Sequence, residues 1–197
     1  MNKITTNKYN IISDIAGRYD ELIDLLAIMP PCDKIILVGD LIDRGPKSKE
    51  VVELAMSMPN AITVKGNHEL MMVEAAEGNT MDHLYNGGKA TLKSYGITNA
   101  YKYPKSHIDW MRNLLLKFEA PGLLVTHAPY KPDLNEFDTV WNREEPEEIE
   151  GVFQIYGHNS NMTKHGDWGM CIDACFDKVL TGITFPNKEI FQVPYRD

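Results

Sequence analysis

Along the first third of the chain the apolar positions switch between two periods. Tyr9 to Ser13, Lys34 to Val38 and Ala61 to Val64 are short, largely apolar runs, the pattern of buried strands. Between them, Leu22, Ile23, Leu25, Leu26 and Met29 recur at helical spacing over Tyr19 to Met29, and Pro30-Pro31 closes that stretch. Pro46 opens a second helical stretch through Ser57, with Val51, Val52, Leu54 and Ala55 on its apolar face. A β-α-β-α-β order predicts parallel strands with helices packed on the faces of the sheet.

The middle, Glu69 to Phe118, reads as mostly helical, with a break at Gly87-Gly88 before a helix running to Tyr95. Pro121-Gly122 predicts a turn and Leu123 to Val125 a strand. Lys131 to Gly151 is polar and acidic and reads as a long surface loop. Four strand-like runs follow, Val152 to Ile155, Trp168 to Ile172, Val179 to Thr184 and Ile190 to Val193. Strands without helices between them predict a second sheet or an antiparallel edge. No repeat or linker divides residues 1–197, so one α/β domain is expected.

Composition narrows the partners. A hydrophobic share of 43% and a charged share of 24% exclude wholesale disorder. With 20 basic and 28 acidic residues the net charge is −8. That argues against stable nucleic-acid binding and against an anionic membrane surface, both of which need a cationic face. It leaves room for an enzyme that grips one or two phosphates. No apolar run reaches the ~18 residues of a membrane helix, and Met1 to Asn10 lacks an apolar signal core. Cys32, Cys171 and Cys175 are too few for a disulfide framework. They read as free thiols of a cytoplasmic protein, packed rather than zinc-bound. Met56, Met58, Met71, Met72 and Met81 read as gap-fillers of a core.

The chemistry collects where the strands end. Asp14 follows the first strand, Asp40 the second, Asn67 and His68 the third; His127 and His158 follow later strands. In a parallel α/β sheet, ligands gather outside the carboxyl ends of the strands, so these groups are expected to meet at one rim. Alone, each is more simply a turn former, a cap or a satisfied histidine. Together they would be costly to bury unpaired. Carboxylate, amide oxygen and imidazole suit a divalent ion such as manganese, iron or zinc. Asp40, in a Gly-flanked turn, is the candidate bridge between two ions. Arg44 and Arg143 are placed to hold phosphate oxygens. His83, His107 and His165 lack a strand-end setting and read as structural or solvent-exposed.

Asp14-Ile15-Ala16-Gly17, Gly39-Asp40-Leu41-Ile42-Asp43-Arg44-Gly45 and Gly66-Asn67-His68-Glu69 resemble the three signature blocks of the calcineurin-like metallophosphoesterases. The second block is similar to that of the serine/threonine phosphoprotein phosphatases and of the neighbouring diadenosine tetraphosphatases. Asn86-Gly87-Gly88 with Thr91, and Trp141-Asn142-Arg143, resemble the small phage and bacterial members. The resemblance spans roughly Tyr9 to Thr184. It implies a β-sandwich flanked by helices and two divalent ions, with manganese ahead of iron, zinc, magnesium or nickel. It also implies roles. Asp14 would ligate the first ion, Asp40 both, and Asn67, His127 and His158 the second. A bridging hydroxide would attack phosphorus, His68 would be the acid, Asp43 would hold its imidazole, and Arg44 and Arg143 would grip the phosphate.

Ala16 departs from the family block, which has histidine there. A methyl group ligates nothing, so the first ion would keep Asp14, Asp40 and water, and the chain would be a weakened variant. Every other matched position is intact, which favours an introduced change over drift. The resemblance implies a phosphoprotein or small-phosphoester hydrolase. Dinucleoside tetraphosphates and 2′,3′-cyclic phosphates are alternatives, as is a non-catalytic phospho-ligand binding protein. The acidic stretch Pro132 to Glu150 is expected to rim the cleft and to disfavour long polyanions. Ala16→His is expected to raise manganese-dependent hydrolysis of p-nitrophenyl phosphate about a hundredfold, the scale of a lost catalytic contact. An unchanged rate would show that Ala16 impairs nothing.

Overall fold

A computed structural model describes residues 7–196, so the reading of Met1 to Asn10 falls largely outside the described residues. Strand β1 (Tyr9–Ile12) pairs in parallel with β2 (Lys34–Leu37), and β2 with β3 (Ala61–Thr63). Helices α1 (Tyr19–Ile28) and α2 (Ser48–Ser57) are the crossovers, as the alternation of periods predicts. The second sheet has β4 (Lys117–Ala120), β5 (Leu123–Thr126), β6 (Phe153–Tyr156), β8 (Gly169–Cys171) and β7 (Thr163–His165), in that spatial order. Its inner strands β5, β6 and β8 are parallel and both edges antiparallel. The chain then returns to the first sheet. Strand β9 (Val179–Phe185) pairs antiparallel with β1, and β10 (Ile190–Pro194) with β9. The late strands thus supply both a second sheet and an antiparallel edge.

Alternation along the strands builds two cores. Ile11, Ile36 and Val38 point between the sheets and meet Leu123, Val125, Phe153 and Ile155. Ile12 and Leu37 point the other way and pack on Leu22 and Leu25 of α1 and on Val51, Val52 and Ala55 of α2. Each such side chain contributes about 1.5–3 kcal/mol by leaving water. Because β1 is buried on both faces, its sequence reads as an apolar run rather than an alternation.

The middle segment is helical only in part. Helix α3 (Asn67–Glu77) is followed by α4 (Met81–His83), α5 (Lys89–Ser94) and α6 (Lys105–Arg112). Between α4 and α5 lies one π-turn, Leu84–Gly88, with Gly87 in the left-handed region at φ 111°; this is the predicted break. Two expectations fail. Lys117 and Phe118 belong to β4, an edge strand whose four residues alternate in exposure, too short to register against the helical pattern before it. The acidic stretch also contains α7 (Glu136–Trp141). Asn135 caps it by accepting the Asp138 N–H at 2.9 Å, and Val140 is its buried anchor. Strand β7 has no apolar residue and left no trace in the pattern.

Candidate metal centre

Each parallel strand delivers a polar loop to the same edge. Ser13-Asp14 follows β1, Gly39-Asp40 follows β2, Gly66 follows β3, His127 follows β5, Gly157-His158 follows β6 and Asp173 follows β8. The loops are laced together. Ala16 N–H donates to the Asp40 carbonyl at 2.7 Å and Gly157 N–H to the His127 carbonyl at 2.7 Å. His158 N–H donates to Asp14 Oδ1 at 3.1 Å. All nine predicted residues, Asp14, Asp40, Asp43, Arg44, Asn67, His68, His127, Arg143 and His158, therefore gather at one end of the sandwich.

The backbone is bent to bring them there. Ala16, Asp40, Asp43, Arg44 and His158 have φ values of 49°, 49°, 74°, 60° and 67°, and each such non-glycine residue costs about 1–3 kcal/mol. Glu69 offsets part of this. Its buried carboxylate accepts N–H bonds from Asp40 and Gly66 at 2.9 Å and from Leu41 at 2.8 Å. Glycine is required by close approach. A Cβ on Gly66 would lie 2.3 Å from Asp40 Oδ1, and one on Gly157 would lie 2.1 Å from Asp14 Oδ2.

At the centre lies a cluster that attracts a positive charge. His127 Nδ1–H donates to the Val38 carbonyl at 2.9 Å. Burial would lower this imidazole, but Asp40 and Asp14 raise it, so its Nε2 favours a proton or a cation. Nε2 faces Asn67 Oδ1 at 3.0 Å, His158 Nδ1 at 3.2 Å and Asp40 Oδ1 at 3.3 Å. Burial, then His127, holds the His158 imidazole down at about 3, so it is neutral. Its buried Nε2 has no partner. Burial alone would raise the Asp40 carboxyl, but the imidazoles beside it, His127 and then His68 foremost, hold it at about 2. Two imidazole nitrogens, an amide oxygen and a carboxylate oxygen in one buried cluster fit a divalent cation. Beside them the Asp14 carboxyl is pushed up to about 8, by burial and then by Asp173. A second cation between Asp14 and Asp40 would relieve that repulsion.

On the other side of Asp40 stands His68. Its Nδ1 is 2.6 Å from Asp43 Oδ2. Burial would lower this imidazole, but Asp40 and Asp43 raise it to about 9, so it is charged at neutral pH. Nε2 then carries a proton 3.3 Å from Arg44 Nη2. Two donors aimed at one spot are a cradle for an anionic oxygen. Arg143 Nη1 donates to the His158 carbonyl at 3.4 Å. Both arginines line a cleft of about 50 Å³ with Asp14, Asp40, Asn67 and His68, large enough for only a few water-sized occupants.

Several residues support the site without a role assigned from the sequence; Thr91 and Trp141 are marked there by resemblance alone. Asp43 N–H donates to Thr91 Oγ1 at 3.0 Å and Thr91 Oγ1–H donates to Asp43 Oδ1 at 2.5 Å. His83 is fully buried, with Nδ1 3.5 Å from Asp43 Oδ2 and Nε2 2.9 Å from Tyr103 Oη. It is a structural histidine, as expected, but its charge neighbour is the site. His107 and His165 bond Tyr95 and Tyr156 away from it. Trp141, delivered by α7, packs edge-on against His158 at 5.9 Å between centroids. Asp173 is 2% exposed; its place after a strand is the same signal that marks Asp14. The stretch Pro132 to Glu150 reaches the cleft as expected, through Trp141 and Arg143, but not with its glutamates. Glu144 and Glu147 pair with Lys131 and Glu145 with His165, while the cleft's own flank carries Arg44 and Arg143.

Residues 8–172 match the calcineurin-like phosphoesterase family. The symmetrical bis(5′-nucleosyl)-tetraphosphatase of Pasteurella multocida (strain Pm70) is 31% identical over 173 residues, covering 85% of this chain and 56% of that protein. The enzyme of the same name from Dechloromonas aromatica (strain RCB) is 37% identical over 125 residues, 61% of this chain and 43% of that protein. The chain thus spans about half the length of these curated relatives. A crystal structure of a protein provisionally named a diadenosine tetraphosphatase superposes with a TM-score of 0.73 at 19% identity, covering 98% of this chain and 96% of that one; this shows a shared fold.

If the crowded acceptors form an ion site, manganese should raise the melting temperature. Saturation at about a hundred times the dissociation constant adds about 2.7 kcal/mol. Asp40→Asn should abolish most of that shift in a thermal-denaturation series. An equal shift in both proteins, or none in either, would count against the site.

Proposed function

Because the chain belongs to the calcineurin-like phosphoesterase family, we propose that it is a phosphoric ester hydrolase holding two divalent ions, manganese first among them, and acting on dinucleoside polyphosphates. The observation that carries this is the acceptor cluster of Asp40, Asn67, His127 and His158 with the charged His68–Asp43 pair beside it. Asn67, His127, His158 and Asp40 would hold one ion, and Asp14 and Asp40 the other. Bound there, the ions would supply Lewis acidity toward the phosphoryl oxygens and lower the pKa of water.

The chain's own residues do the rest. Arg44 and Arg143 fix the phosphoryl oxygens so that water is in line with the leaving oxygen. As the water oxygen bonds to phosphorus, the bridging P–O bond breaks and its electron pair leaves with the bridging oxygen. His68 delivers the Nε2 proton to that oxygen. Asp43, fixed by Thr91 and by its own backbone N–H bonds, orients the imidazolium and stabilises its charge. Cut at the central bridge, one tetraphosphate and one water give two nucleoside diphosphates. Ala16 gives the Asp14 side no imidazole, so the ion there is the more weakly held. The tetraphosphatase names of the curated relatives and the two arginines on the flank of the cleft both favour a nucleotide over the phosphoprotein substrate that the motifs put first.

Rates on diadenosine tetraphosphate, a phosphoserine peptide and 2′,3′-cyclic AMP test this, with the highest kcat/KM expected on the tetraphosphate. His68→Ala should cost about 10²–10⁴ on alkyl phosphates and less than about tenfold on p-nitrophenyl phosphate, whose leaving group needs no proton. A faster peptide would overturn the substrate, and equal losses on both esters would overturn the acid.

A further inference from the structure

Next to the metal cleft lies a cavity of about 750 Å³, within the range that encloses a nucleotide-sized ligand. Arg44, Arg143 and Ser160 line both spaces, so the two adjoin. Arg18, Lys178 and Arg196 line the larger cavity but not the cleft, a concentration of cations in a chain of net charge −8. Some of these are already engaged. Arg18 stacks over the Tyr195 ring at 4.4 Å and lies 3.9 Å from Glu21, and Arg196 pairs with Asp24. Arg44, Arg143 and Lys178 form none of the salt bridges found among the described residues. Lys178 is also held in the left-handed region, at φ 55°, where glycine or asparagine is the easier residue. Tyr195 Oη and Asn159 Oδ1, both from residues of the cavity wall, have no hydrogen-bond partner. Phe176, in the same wall, is 71% exposed.

We propose that this cavity seats one nucleoside diphosphate half of the substrate, with Lys178 on the phosphate farther from the ions and Phe176 stacked on the base. A phosphate at the ions occupies Arg44 and Arg143. Lys178 lines the cavity and not the cleft, so it is matched by a second anionic group farther along the same ligand. A singly phosphorylated peptide side chain does not bring one; a nucleoside polyphosphate does. An exposed aromatic ring beside such a cation offers the stacking face that a base uses. The pocket thus names the part of the substrate that lies beyond the scissile phosphate, and it rests on the phosphoesterase reading of the adjoining centre.

Isothermal titration of the manganese-loaded full chain with ADP and with inorganic phosphate tests the pocket without turnover. ADP is expected to bind at least about tenfold tighter than phosphate, the scale of one additional charge-assisted contact. Lys178→Gln should weaken ADP about tenfold, and Phe176→Ala about fivefold, in line with loss of a base stack. Both should leave phosphate affinity within about twofold. Both side chains are exposed, so the variants keep the fold, which their circular dichroism checks. ADP bound no tighter than phosphate, or both variants within about twofold of the parent for ADP, would overturn the pocket. Tight ADP binding without tetraphosphate turnover would overturn the hydrolase reading and leave the pocket standing.

Discussion

His127 donates one ring proton to the Val38 carbonyl, and its Nε2 faces Asn67 Oδ1, His158 Nδ1 and Asp40 Oδ1. Buried together, these groups cost several kcal/mol unless a proton or a cation lies between them. The rest of the edge follows from it. Asp40 is the carboxylate that reaches both the imidazole pair and His68. His68 can stay charged only because Asp40 and Asp43 outweigh its burial. On the proposed reading, a metal centre and a proton donor share one carboxylate.

The backbone bears the cost of that sharing. Asp40, Asp43 and Arg44 sit in the left-handed region within five residues, in a segment that has no regular hydrogen-bond ladder of its own. Glu69 clamps one end of this turn, and Ser48 and Thr91 hold the other through the Asp43 N–H. The helices that carry these clamps, α3, α2 and α5, are in turn fixed by the apolar face of the first sheet or by one another. Strain at the site and the packed core behind it are two ends of one lever.

Much of this was legible before any coordinates. The parallel half of the first sheet follows from the β-α-β-α-β rhythm. The site residues follow from polar groups placed directly after apolar runs, since strand ends converge in such a sheet. Asp173 obeys that same rule after Ile172, but no signature block contains it. His83 and Thr91 are different. They sit on short helices of the middle segment, and their meeting with Asp43 depends on the π-turn and on how α4 and α5 cross the second loop. Strand β4 and helix α7 are four and six residues long; tertiary pairing and an Asn135 cap decide them, not periodicity. The acidic stretch looked like a rim because charge was counted along the chain. In space its glutamates turn to Lys131 and His165, and the arginines face the cleft.

Anomalous diffraction from crystals grown with manganese tests the account most directly. Two peaks are expected on either side of the Asp40 carboxylate. The one enclosed by Asn67, His127 and His158 should be stronger than the one beside Asp14, where Ala16 offers no ligand. Crystals with no peak among these residues, or with manganese bound only elsewhere on the protein, would contradict it.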